Sequence, residues 1–140
     1  MNPKDYVSYP IALALKKAGF DEPCLYGYSV KMRLEPELSF GEPKMVHSKA
    51  PKNYNDNRKG IAKGLEFCSA VPLWQAQKWL RDRCGIHVYP TLESVNEVSY
   101  DCHIVHLHKE AFRVNKRCSS YESALSAGID KALELLGKEV

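Results

Sequence analysis

The chain has no apolar run approaching the roughly 18 residues that a membrane helix needs, and its first ten residues, MNPKDYVSYP, hold no signal-peptide core. No membrane partner is expected, and the address read from the sequence is cytoplasmic. Paired cysteines are missing too. Cys24, Cys68, Cys84, Cys102 and Cys118 are five, an odd number, widely spaced and never arranged C-x-x-C. Without a secretory signal, that pattern predicts reduced thiols packed as small apolar side chains. Charge of one sign is also scarce: 20 Lys and Arg face 17 Asp and Glu, a net +3. So small an excess argues by itself for neither nucleic acid nor membrane. Nor do a nucleophile, a base and an orienting group occur together, which argues against an enzyme. Cys118, after Lys116 and Arg117 and ahead of a helix start, is the best-placed thiol, but no acid or base pairs with it.

What is present is organised around Pro72–Pro90, PLWQAQKWLRDRCGIHVYP. Leu73, Ala76, Leu80 and Cys84 recur at the helical period, Trp79 borders that stripe, and Gln75, Lys78, Arg81 and Asp82 lie away from it. Pro72 suits a first helical turn and Gly85 the left-handed position past the end. Ile86, Val88 and Pro90 then alternate with His87 and Tyr89, as in a half-buried strand.

Before this unit, Ser8 and Pro10 open a short helix that ends at Gly19, with Phe20 folding back on it, and CLYGYSVKMRL from Cys24 reads as a strand. Between Glu35 and Gly64, Pro36, Pro43, Pro51, Gly41, Gly60 and the run NYNDN predict loop, with one short strand at Lys44 to His47 and another at Gly64 to Ala70. After it, YDCHIVHLHKEAF from Tyr100 reads as a strand antiparallel to the one at His87. Ser119 with Glu122 forms a capping box. It opens a last helix whose stripe is Tyr121, Leu125, Ile129, Ala132, Leu133 and Leu136, running to Gly137. The expected fold is α+β in one domain, residues 1–140: a small antiparallel or mixed sheet packed by three helices, in the order α-β-β-α-β-β-α, with a long basic loop at about 48–63.

Three stretches carry a resemblance. Pro72-Leu73-x-Gln75-Ala76-x-x-Trp79-Leu80-Arg81-Asp82 with Gly85-Ile86-His87-Val88, Ala14-Leu15-Lys16-Lys17-Ala18-Gly19-Phe20-Asp21 with Cys24, and Tyr121-Glu122-Ser123-Ala124 are similar to small proteins of Bacteroidetes phages, prophages and conjugative elements. Some of these resemble the phage ABA-sandwich domain, a helix–sheet–helix module with no assigned activity. The resemblance implies that fold and a mobile-element origin, and it brings no catalytic or binding residue. It leaves out about residues 31 to 69, where the basic loop departs from the pattern.

Three sets of residues are candidates for function. His87, Cys102, His106 and His108, with His103 between, offer zinc-type ligands, but strand alternation turns His103 away from Cys102, His106 and His108. The solvent-facing face of a strand is the simpler reading, and no metal or cofactor is expected. Lys49, Lys52, Arg58, Lys59 and Lys63 could neutralise phosphates while Tyr54 stacks on a base, the combination used by single-strand binders. Trp74 lies off the core stripe of its helix and is expected at the surface near Tyr89 or the sheet edge. The leading reading is a non-enzymatic accessory protein acting through a protein partner, a second copy included. Nucleic-acid binding through the basic loop is the alternative.

Overall fold

The computed structural model describes residues 2–31, 42–56 and 65–138, which fold as α+β with three α-helices, a 3-10 turn and two three-stranded antiparallel sheets. The chain divides into two compact units, Ser8–Val71 and a second made of Met1–Val7 with Pro72–Val140. The element order differs from the expected α-β-β-α-β-β-α: the short strand at Lys44 joins the two around it to give three in the first half, and the run from Tyr100 divides to give three in the second.

In the unit Ser8–Val71, helix α1 (Tyr9–Lys17) ends at Gly19, whose φ of 98° only glycine adopts at little cost. The Phe20 amide then bonds to the Leu15 carbonyl at 3.0 Å and its ring is buried, so the expected fold-back forms. Strand β1 (Cys24–Lys31) is central, flanked by β2 (Lys44–Lys52) and β3 (Leu65–Ser69). Lys16 ties α1 to β3, donating from Nζ to the Phe67 carbonyl at 2.9 Å and facing Glu66 at 3.6 Å.

The short strand expected at Lys44 to His47 within the predicted loop forms and runs on to Lys52, nine residues in all. Its sequence, KMVHSKAPK, lacks apolar alternation because β2 is an edge: most of its residues are exposed, and Lys and Pro there discourage pairing with another chain. Lys49 and Lys52 stand on this strand rather than on a loop, whereas Arg58, Lys59 and Lys63 lie outside the described residues. So do residues 32–34 of the first predicted strand.

In the second unit, Asn2 caps a 3-10 turn at Pro3–Asp5, its Oδ1 accepting from the Lys4 amide at 3.1 Å. Tyr6 then forms an antiparallel bridge with Pro72. Helix α2 (Leu73–Cys84) starts one residue after Pro72, which sits at the cap, and stops at Gly85 in the left-handed region with φ 67°. Leu73, Ala76, Trp79 and Leu80 are its buried residues. Trp79 thus belongs to the core, while Cys84 lies half-buried at the last position of the helix.

Strands β4 (Ile86–Leu92), β5 (Tyr100–His106) and β6 (Glu110–Arg113) form the second sheet in that order. The run from Tyr100 to Phe112 is two strands, not one. It turns at Leu107–Lys109, where the Lys109 amide bonds the His106 carbonyl at 3.0 Å and His108 takes φ 63°. Helix α3 (Tyr121–Lys138) packs on β4 and β5 and begins one residue later than its predicted cap implies. Ser120, not Ser119, caps it, accepting from the Ser123 amide at 3.1 Å and donating from its hydroxyl to Ser123 Oγ at 2.9 Å, while the Ser123 hydroxyl donates to the Ser120 carbonyl at 3.2 Å. Ala124, Leu125, Gly128, Ile129, Ala132 and Leu133 are buried, whereas Tyr121, assigned to that stripe, is exposed.

Candidate functional site

Trp74 follows Leu73, and one residue step turns a helix by about 100°, so burying Leu73 carries Trp74 away from the core. Its side chain is 65% exposed. Tyr121 opens α3 and meets Tyr100 edge-on, with ring centroids 6.0 Å apart. The bridge between Tyr6 and Pro72 brings the N-terminal turn alongside both helix starts. Together Tyr6, Trp74, Tyr121 and Leu125, with the carboxylates Asp5 and Glu122, line a groove of about 480 Å³. That volume lies in the range of ligand pockets.

The sequence reading finds Trp74 but misses Asp5, Tyr6 and Glu122, and it places Tyr121 in the core. Residues 2–6 reach this site only by pairing across more than sixty positions, which leaves no local signal. Tyr89 is not part of the groove. It stands on the opposite, solvent-facing side of the sheet, nearly parallel to His103 with centroids 5.4 Å apart and planes at 22°. Glu93 sits beside this pair, accepting from the Thr91 hydroxyl at 2.6 Å and lying 3.7 Å from His103 Nε2 and 3.8 Å from Arg113. The Thr91 hydrogen bond, then Arg113, holds the Glu93 carboxyl below the ordinary range.

A second cleft of about 450 Å³, lined by Glu93, Glu97, Asp101, Lys116 and Arg117 among others, lies at the β4–β5 loop. Asp101 organises it. One carboxylate oxygen accepts from the amides of Cys102 (2.8 Å), Asn115 (3.1 Å) and Lys116 (3.4 Å), and Asn115 has φ 61°. The turn into α3 is thus wrapped around a carboxylate of the chain itself.

The histidines do not converge. Cys102 and His106 are buried on the face packed by the helices, His87 and His103 share the other face, and His108 sits in the turn. Among the described residues, no three His, Cys, Asp or Glu are placed to hold a metal ion.

Tyr54 does not offer a stacking surface either. Its ring is 4% exposed and lies on Gly27, where a Cβ would come within 2.5 Å of Cδ1, and its hydroxyl donates to the Leu25 carbonyl at 3.2 Å. Lys52 covers the ring at 4.6 Å, so the described part of the basic segment uses its aromatic as core.

Burial decides the chemistry of the thiols. It pushes Cys24 up to about 11 and Cys68 and Cys102 to about 12, and it raises Cys84 as well. Cys118, the thiol singled out above, is buried, and its Sγ lies 3.8 Å from the Lys116 carbonyl. In a thiol titration with an aromatic disulfide at mildly alkaline pH, Cys84 should react alone in the native protein, and all five only after denaturant. A second fast thiol in the native state would contradict this assignment.

Among the described residues, no helix is long and apolar enough to cross a membrane. No family model, curated protein or solved structure matches the chain.

Proposed function

We propose that this chain is a cytoplasmic accessory protein of a phage or mobile element that performs no reaction and works by docking a protein partner through the groove at Trp74. The exposed indole is the observation that carries the reading: a large, stiff, amphipathic side chain stands in water at the mouth of a groove whose floor is apolar. Tryptophans at such positions dominate binding when a partner desolvates them. The order of the second unit, helix, three strands, helix, supports the phage-sandwich likeness.

Capture from cells carrying the element, with wild type, Trp74→Ala and Tyr89→Ala compared side by side, tests the assignment. A partner retained by wild type and Tyr89→Ala but lost with Trp74→Ala supports it. Equal recovery on Trp74→Ala overturns it. Both substitutions fall on exposed side chains, so the fold should survive each within about 0.5 kcal/mol.

A further inference from the structure

We infer that the groove recognises a cationic side chain of the partner, arginine foremost, an inference that rests on the docking role of Trp74 and adds what docks there. Tyr6, Trp74 and Tyr121 supply three aromatic rings to one groove, and Asp5 and Glu122 supply two carboxylates. Among the described residues, neither carboxylate has an ion-pair partner. Aromatic faces attract cations through their quadrupole, and a guanidinium can stack on a ring while its edge hydrogen-bonds a carboxylate in two places. Lysine offers a more strongly hydrated point charge and no plane, so it fits less well.

The first turns of α2 and α3 also border the groove, and each helix start carries roughly half a positive charge. Two whole negative charges outweigh two halves, so the field still favours a cation. The same sign argues against the acidic β4–β5 loop of a second copy as the occupant. Of the exposed aliphatics of this unit, Leu107 lies in the β5–β6 turn, while Leu92 at the end of β4 and Val95 and Val98 in the loop after it stand beside Glu93 and Glu97. Inserting that loop into a neighbour's groove would set carboxylates against Asp5 and Glu122.

The test uses the full chain and two peptides, acetyl-Gly-Arg-Gly-Arg-Gly-amide and its citrulline twin, which keeps the shape and removes the charge. Binding is followed by the NMR shift of the Trp74 indole. We expect a saturable shift with the arginine peptide in the millimolar range, about tenfold or more weaker with the citrulline twin. The pair Asp5→Asn with Glu122→Gln should cause a loss of similar size, with the amide spectrum otherwise unchanged. Equal response to the two peptides, or no saturable shift with either, overturns the inference.

Its failure is distinguishable from failure of the docking reading. If Trp74→Ala loses the captured partner while the peptides respond alike, docking stands and cation recognition falls. If capture survives Trp74→Ala while the indole still shifts with arginine alone, docking falls and the cation site stands.

Discussion

Gly128→Val should cost about 3 kcal/mol or more and lower the urea midpoint accordingly. A Cβ built at Gly128 would overlap Cys102 Sγ and come within 2.6 Å of Val88 Cγ1 and 3.2 Å of Cys102 Cβ. Both neighbours are short side chains fixed on adjacent strands β4 and β5, so they cannot swing aside, and α3 must lift instead. Overpacking of this kind costs about 1–3 kcal/mol for small insertions, and valine adds two further methyls. The helix-propensity gain on replacing glycine, at most about 1 kcal/mol, offsets only part of it. Gly128→Ala should accordingly lose about 1–2 kcal/mol by the same balance. Coupling provides the sharper check. Gly128→Ala combined with Cys102→Ala should be less harmful than the sum of the two, because removing Sγ opens the space that the new methyl needs. A Gly128→Ala variant as stable as wild type would mean that helix and sheet do not approach this closely.

Asp101→Ala is expected to cost about 2–3 kcal/mol, the scale of losing hydrogen bonds to a charged group. The carboxylate is nearly buried and takes three backbone amides, two of them in the turn that leads into α3. Without it the Asn115 and Lys116 amides lose their partner while Asn115 keeps its left-handed φ. Asp101→Asn, which retains one oxygen acceptor, should lose about half as much on the same scale. Hydrogen exchange offers a local readout: the Asn115 and Lys116 amides should exchange faster in Asp101→Ala even where the sheet stays protected. Unchanged exchange at those two amides would remove Asp101 from this role.

The sequence by itself determined which residues form helices and where two of the helices stop. Gly19 and Gly85 take the left-handed backbone assigned to them, and most of the stripes on α2 and α3 are buried, because a local period and a cap are written in neighbouring residues. The packing of four of the five thiols was legible for the same kind of reason, from composition and spacing. What lay beyond it were choices made between segments far apart in the chain. KMVHSKAPK is read as strand only as far as His47, and it continues to Lys52 because β1 offers it a ladder. Tyr54, which in sequence resembles a stacking residue, is core because Gly27 leaves room for its ring. Trp74 and Tyr121 become a groove only when Asp5 and Tyr6 are brought to them by the bridge to Pro72. Periodicity tells which side chains share a face. Only the tertiary structure decides what each face meets, since that depends on shape and burial summed over partners that no local pattern names.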